Sequence, residues 1–364
     1  IDKIIKKFVL KKTSKQQYLL LLSAITQIVF LEFKDYAVVN SSVELAKLKK
    51  ISTYPGFINA VLKKISKNKI KFKDMSGTFN DLPKWFCKEI NNWNTMQKQK
   101  FVDEINKKPN LHIVFKNNKT LKKFNLEHVK TSEKSIMLNN HKNISDLPNY
   151  NKGDWWVQDM ATMLPIHLTT GIKNKKILDM CAAPGGKSFQ ILSLESDLTM
   201  IEVNKQRSKI LKKNLTRLNY DNNIVIGDVL NLRVKQKYDL IILDSPCTSV
   251  GTIRRNPEIF FRNNEPNIKA ILNLQKKLLN KSTKLLNKNG VIIYMVCSFL
   301  EIETIKQINT FLSTNSNFVI EKLFLSNKFF NKLIDKNGFI NTAPSTTNNV
   351  RHDGFFAAKI KNVK

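Results

Sequence analysis

The chain is short of acidic residues and of cysteine. Only 29 Asp and Glu stand against 61 Lys and Arg, leaving +32 on 364 residues. Such an imbalance points to a polyanionic partner, most simply nucleic acid. The crowding of Lys, Asn and Ile that AT-rich coding produces accounts for about half of the excess, so the charge needs a site to go with it. There are four cysteines, Cys87, Cys181, Cys247 and Cys297, and no Cys-x-x-Cys or Cys/His grouping has zinc-site spacing. No metal is expected, and free thiols fit a reducing cytoplasm. No secretory signal pattern opens the chain, since the early apolar segment is long, late and amphipathic. No apolar run reaches the ~18 residues of a membrane span. The nearest, Tyr18 to Phe33, is too short and is bounded by Glu32 and Lys34. The dinucleotide pattern GxGxxG is missing. Gly186-Lys187-Ser188 resembles the tail of a phosphate-binding loop, but Cys181 stands where that loop needs its first glycine. The chain begins at Ile1 rather than Met, so its true N-terminus is expected upstream.

What is present is ordered along the chain. Gln16 to Phe33 reads as one long buried helix, Asn40 to Lys50 as a second with Asn40-Ser41-Ser42 as its cap. Tyr54-Pro55-Gly56 breaks the pattern, and Phe57, Ile58, Val61, Leu62 and Ile65 resume it at helical spacing. Lys67 to Thr78 reads as a linker. Asp81 to Asn151 mixes signals, with a helix after Leu82-Pro83 and a strand over Leu111 to Phe115. From Lys152 the pattern becomes regular. Strands are expected at Lys176 to Met180, Leu198 to Val203, Asn223 to Ile226, Tyr238 to Leu243 and Val291 to Val296. Helices are expected at Ser188 to Leu194, Lys205 to Leu218 and Ile268 to Leu286, and two further strands at Phe318 to Leu323 and Phe355 to Ile360. The alternation predicts an α/β fold with a parallel, doubly wound sheet. The domains expected are 1–70, helical; 71–150, a small α+β module; and 151–364, catalytic.

Open α/β sheets bind ligands outside the carboxyl ends of their strands, and the notable residues fall there. Asp179-Met180-Cys181-Ala182-Ala183-Pro184-Gly185-Gly186-Lys187 is a strand end followed by a glycine turn and a helix start, which lets backbone approach a ligand. Glu202 ends the next strand, where a carboxylate can accept from ribose hydroxyls. Asp228 follows the third and can receive the exocyclic amine of an adenine. Asp244 and Cys247 end the fourth strand and Cys297 the fifth. Consecutive strands are often neighbours, which would bring both thiols to one ligand beside a cofactor turn. A buried structural role is the alternative for either cysteine alone.

These blocks, with Trp156-Val157-Gln158-Asp159, Arg254-Arg255-Asn256-Pro257-Glu258, Val296-Cys297-Ser298 and Asp353-Gly354-Phe355-Phe356, resemble the Nop2/Sun family of RNA cytosine-5 methyltransferases. Phe57 to Lys63 resembles the last helix of a NusB-type domain, and the pairing points to the bacterial 16S rRNA methyltransferase B type. Roughly the first half of that NusB-like domain has no counterpart before Ile1. Ser245 replaces a usual Ala, Thr248 a common Ser or Gly, and Glu202 and Asn204 two frequent aspartates. The resemblance implies a Rossmann-like class I fold. S-adenosylmethionine is implied against Cys181, Ala182, Ala183, Pro184, Gly185, Gly186 and Lys187, with Glu202, Asp228 and Asp244 around it. It implies Cys297 as the nucleophile on carbon 6 of cytosine, Cys247 as the group that assists release, and Asp244 on the base edge. Lys187 is expected to favour the thiolate, and Arg254 and Arg255 to contact phosphates. The implied partner is 16S rRNA, with cytosine 967 as target, for a cytoplasmic monomer with no membrane contact. The same chemistry on tRNA, or a non-catalytic RNA-binding assembly factor, are the alternatives. A DNA cytosine methyltransferase is disfavoured, because no Glu-Asn-Val occurs.

Overall fold

A computed structural model describes residues 1–364 apart from 52–54, 74, 76, 140–142, 234–235, 263 and 324–332. It divides into two compact units, residues 1–77 and 78–364.

The first unit is helical: α1 (Asp2–Phe8), α2 (Lys15–Ile25), α3 (Asp35–Leu48), α4 (Pro55–Lys67) and α5 (Lys69–Lys73). A reciprocal pair of hydrogen bonds between Ser14 and Gln17 satisfies backbone N–H groups at the start of α2. Near its end the helix widens, and the Leu31 N–H reaches the Thr26 carbonyl five residues back. The expected helix to Phe33 therefore loosens at Thr26. α4 buries Ile58, Val61, Leu62 and Ile65, a stripe at helical spacing, each worth about 1.5–3 kcal/mol when fully buried. Two expectations are corrected. α3 starts at Asp35, and the supposed cap lies inside it, where the Ser41 hydroxyl donates to the Ala37 carbonyl (2.6 Å). The stretch after Lys67 is not all linker, because α5 turns Phe72 into the core, edge-on to Phe8. Tyr54 lies outside the described residues. Pro55 opens α4, where its missing N–H costs nothing.

The second unit begins with α6 (Lys84–Glu89), α7 (Thr95–Ile105) and a sheet of β1 (Leu111–Phe115), β2 (Val129–Ser132), β3 (Ser135–Leu138) and β4 (Trp155–Val157), with α8 (Asn118–Lys122) after β1. Its order is β2-β3-β1-β4, all antiparallel. Because β4 pairs with β1, this small sheet runs past the boundary expected at residue 150. α9 (Met160–His167) follows at once.

The chain then alternates: β5 (Lys176–Asp179), α10 (Gly186–Leu192), β6 (Asp197–Glu202), α11 (Lys205–Arg217), β7 (Ile224–Ile226), β8 (Tyr238–Asp244), α12 (Ile268–Leu285), β9 (Leu286–Val296), α13 (Ile305–Thr314) and β10 (Phe318–Ile320). It closes with β11 (Ile340–Thr342), a hairpin of β12 (Ser345–Thr347) and β13 (Val350–His352), and β14 (Phe355–Asn362). The main sheet runs β7-β6-β5-β8-β9-β14-β10, with β11 beside β14. β5 to β9 are parallel, and β14 enters antiparallel to β9. Successive residues of a strand serve opposite faces. Ile177, Ile242, Ile293 and Met295 pack with α9 to α11, while Leu178, Ile241, Leu243 and Tyr294 pack with α12 and α13. Burial on both faces explains why β8 and β9 read as nearly unbroken apolar runs. The strand order reverses between β5 and β8, which opens a crevice at the carboxyl edge.

Candidate active site

A cavity of about 420 Å³ occupies this crevice, a size suited to a small-molecule ligand. Cys181, Glu202, Asp228, Asp244, Cys247 and Cys297 all line it. Each stands at or just beyond the end of β5, β6, β7, β8 or β9, so the sheet itself gathers residues spread over more than a hundred positions.

On the β5–β7 side the groups are held by local hydrogen bonds. Asp179, almost wholly buried, accepts from the Ser188 hydroxyl (2.7 Å) and so ties the strand end to the first turn of α10. Burial, opposed by that bond, pushes its carboxyl up to about 6. Gly185 sits at φ +115°, and a Cβ there would lie 2.1 Å from the Phe189 ring. Glycine is required on both counts. Glu202 accepts from the backbone N–H of Ala183 (3.1 Å) and of Asn204 (2.9 Å). Its lone pairs are not exhausted, since a carboxylate takes about four donors. Asp228 accepts from the Leu230 N–H (3.0 Å) and the Asn231 amide (2.9 Å). Ala182 and Ala183 are buried in the core behind the cavity, and Pro184 is exposed, so their side chains do not line it. Arg207 joins the site without having stood out in the sequence. It lines the cavity from α11, and its guanidinium donates to the Ala183 carbonyl and lies 3.9 Å from Glu202. Its place in the first turn of the helix after Glu202 was the available signal.

On the β8–β9 side, the parallel pairing of the two strands sets Asp244 opposite Met295. Lys187, from α10, donates to Asp244 Oδ2 (2.6 Å). Burial alone would lower this ammonium, but Asp244 and then Cys297 outweigh it and hold it above the usual lysine value. The two thiols differ in their surroundings. Cys297 is pushed up to about 12, first by burial and then by Asp244, while Lys187 and Arg255 oppose the rise. Cys247 is pushed well above its usual value by burial, then by Cys297, Glu303 and Asp244, and no cation is among its main influences. Cys181 is also raised by burial, with Asp179, Asp244 and Glu202 adding to it. Cys87 lies elsewhere, on α6.

The paired arginines are corrected. Arg254 is 8% exposed, donates to the carbonyls of Ser345 (3.3 Å) and His352, and has Glu104 at 3.7 Å. Arg255 donates to Asp353 and has Asp159 at 3.8 Å. The Arg254 guanidinium is engaged inside the protein, and that of Arg255, partly exposed, is already paired with two buried carboxylates, so neither is unpaired as a phosphate clamp would be. Asp353 and Asp159 neutralise Arg255 and, outweighing burial, raise its pKa further. The sequence could place the two arginines after the Asp244 block, but not tell which way they turn.

A parallel sheet with one antiparallel strand, β14, inserted between β9 and β10, and a ligand cavity at the switch point, define a class I S-adenosylmethionine-dependent methyltransferase. The chain belongs to the 16S rRNA methyltransferase RsmB/F family, whose profile matches residues 167–361. A NusB family profile matches residues 1–67. The chain is 29% identical over 326 residues to the ribosomal RNA small subunit methyltransferase B of Photorhabdus laumondii, covering 85% of this chain and 76% of the relative. The protein of the same name from Shewanella oneidensis is 27% identical over 84% of this chain and 74% of its own. Among solved structures, PH0851 matches 93% of this chain and 80% of its own with a TM-score of 0.74 at 20% identity. The structure of NSun6 from Pyrococcus horikoshii with SFG matches 78% and 98%, with a TM-score of 0.62 at 17% identity. The cofactor is S-adenosylmethionine, and the cavity suits it. Two carboxylates, Glu202 and Asp228, line it together with Cys247 and Cys297. Among the described residues no group of His, Cys, Asp and Glu is arranged to hold a metal ion, and no helix is long and apolar enough to cross a membrane.

Proposed function

We propose that this enzyme methylates carbon 5 of a cytosine in small-subunit rRNA, with cytosine 967 as the position, through a covalent bond between Cys297 and carbon 6 of the base. The observation that carries the reading is the asymmetry of the two thiols on one cavity. Of Cys247 and Cys297, only Cys297 has cations, Lys187 and Arg255, acting on it, while Cys181 has only Arg207, against three carboxylates. A thiolate is the reactive form, so the thiol with cationic neighbours is the nucleophile.

Carbon 5 of cytosine is a weak nucleophile until a group adds at carbon 6. Cys297 gives up its thiol proton as its sulfur forms that bond, electron density moves into the ring toward nitrogen 3, and that nitrogen takes up a proton in exchange. Asp244, carrying the hydrogen bond from Lys187, holds the base edge and helps deliver a proton to that nitrogen. S-adenosylmethionine supplies the methyl group, as an electrophilic carbon on a sulfonium. Glu202 and Asp228 orient the nucleoside part of the cofactor. Cys247 then assists loss of the proton from carbon 5, after which the carbon–sulfur bond breaks and free Cys297 returns. The base must leave its stack to enter the cavity, at a cost of a few kcal/mol. Exposed lysines such as Lys63, Lys64 and Lys67, rather than Arg254 and Arg255, are the candidates for phosphate contact. The relatives' shared name, small-subunit rRNA methyltransferase B, supports rRNA over tRNA as substrate.

The test is incubation of the protein with methyl-labelled S-adenosylmethionine and 16S rRNA fragments, followed by nucleoside analysis. Label in 5-methylcytosine is expected, and none with Cys297→Ala. Normal turnover by that variant would overturn the assignment.

A further inference from the structure

Behind the two thiols lies a fully buried carboxylate to which the methyl-transfer steps give no part. Glu303, 0% exposed, sits just before α13. It accepts from the Thr248 N–H (2.9 Å) at Oε1 and from the Thr248 hydroxyl (2.5 Å) at Oε2. Oε2 also accepts from the Ser298 hydroxyl (2.6 Å). Gln275 of α12 donates to Oε1 (3.1 Å) and to the Pro246 carbonyl (3.0 Å). Tyr294 of β9 donates to the Glu303 carbonyl (2.9 Å). Thr248 is the residue after Cys247, Ser298 the residue after Cys297, and Pro246 the residue before Cys247. One carboxylate therefore ties down both cysteine loops.

We propose that Glu303 is a positioning residue that fixes the two thiols relative to each other, its Thr248 arm setting the release step and its Ser298 arm the attack step. The inference rests on the two-cysteine reading of this site. An alkyl side chain at 303 would fill similar space but hold neither loop. Desolvating a carboxylate with no cation among its hydrogen-bond partners is costly unless nearly every lone pair is satisfied. A cost of that kind in the wall of a reaction site is met here by four donated bonds, all from residues that bracket or brace the cysteines. Geometry of this sort matters because a misplacement of about 1 Å can cost on the order of 100-fold in rate.

The hydroxyls are removed one at a time, as Thr248→Val and Ser298→Ala, beside Glu303→Gln. Covalent protein–RNA adduct is counted on denaturing gels, turnover is followed as 5-methylcytosine, and S-adenosylmethionine affinity serves as the check on the fold. Thr248→Val is expected to accumulate adduct, with release slowed by about tenfold or more, and Ser298→Ala to form adduct more slowly by a similar factor. Equal slowing of both steps by both variants, or no change in either, would overturn the proposal and leave Glu303 a stability element. A readout without RNA accompanies these. Alkylation of Cys247 and Cys297 is mapped by mass spectrometry across pH, and Glu303→Gln is expected to move the Cys247 profile to lower pH by more than that of Cys297. Equal movement of both, or none, counts against the proposal. Absence of 5-methylcytosine with the unaltered protein would instead sink the two-cysteine reading, so the two failures are distinct.

Discussion

Lys187 Nζ lies 2.6 Å from Asp244 Oδ2, bridging the first turn of α10 and the end of β8. Both side chains are largely shielded from solvent, so their attraction is screened less than that of a surface ion pair. It places a positive charge near Cys297, the proposed nucleophile. Replacing the lysine by an uncharged side chain of similar length removes a group that lowers the Cys297 pKa. Lys187→Met is expected to reduce adduct formation by about tenfold for each unit by which the Cys297 pKa rises. The check is single-turnover adduct formation at fixed pH. A rate equal to that of the unaltered protein would mean that the lysine serves only to hold Asp244.

The Cys297 thiol, pushed to about 12 in the ligand-free protein, stays almost wholly protonated at neutral pH. Its alkylation rate should therefore rise about tenfold per pH unit from 7 to 10, without a plateau. A plateau near pH 8 would show that the cations dominate burial even before RNA binds.

Asp179 carries the linkage between pH and stability. Its folded-state carboxyl is raised from 3.8 to about 6, so between these values the native chain holds a proton that the unfolded chain has released. The stabilisation is present below the unfolded value and is lost as pH rises through about 6. At 1.36 kcal/mol per unit the difference amounts to about 3 kcal/mol at most. Asp179→Asn removes this term. Urea midpoints at pH 5 and pH 8 should fall less between the two for the variant than for the unaltered protein. Equal falls would place the pH dependence elsewhere.

Gly251 holds three segments together. Its N–H donates to the Cys297 carbonyl (3.0 Å), and its own carbonyl accepts from the Gly354 N–H (2.8 Å). A Cβ at this position would stand 1.9 Å from the Gly354 carbonyl oxygen. Gly251→Ala must push apart the loop after β8 and the start of β14. A loss of about 1–3 kcal/mol is expected, read as a lowered thermal midpoint, together with impaired turnover. Unchanged melting would show that the loops part freely.

Arg254 and Arg255 should behave as internal residues. Removing Arg255 leaves Asp353 and Asp159, 3% and 4% exposed, without their nearest cation, a change worth about 3–5 kcal/mol. Arg255→Ala is expected to lower stability steeply. Arg254→Ala is expected to leave the salt dependence of RNA affinity unchanged, whereas loss of a phosphate contact would flatten its slope by about one. A flattened slope would restore the phosphate-binding reading.

Much of the catalytic unit was legible in the chain. The apolar runs Leu240 to Leu243 and Ile292 to Val296 are unbroken because helices cover both faces of the sheet. Their ends then mark the ligand edge, and that is where Asp244, Cys247 and Cys297 stand. Helical spacing likewise exposed α4, α11 and α12, since one-sided burial imposes its period on sequence. Periodicity failed where burial is not periodic. α5 has a single buried residue, Phe72. β12 has none of the alternation of a buried strand, with Ser345 to Thr347 all half-buried.

By itself the sequence determined which chemical groups stand at the carboxyl edge, because strand ends follow from local pattern. Tertiary structure alone decided what those groups face. It turned Arg254 and Arg255 inward onto Asp159, Glu104 and Asp353, residues distant in the chain. It stacked Trp93 on Phe299, two residues past Cys297, at 5.7 Å, and it set Glu303 between the two thiol loops. The physical reason is that charge pairing, ring packing and hydrogen-bond satisfaction depend on which surfaces meet in space, and spacing along the chain does not encode that.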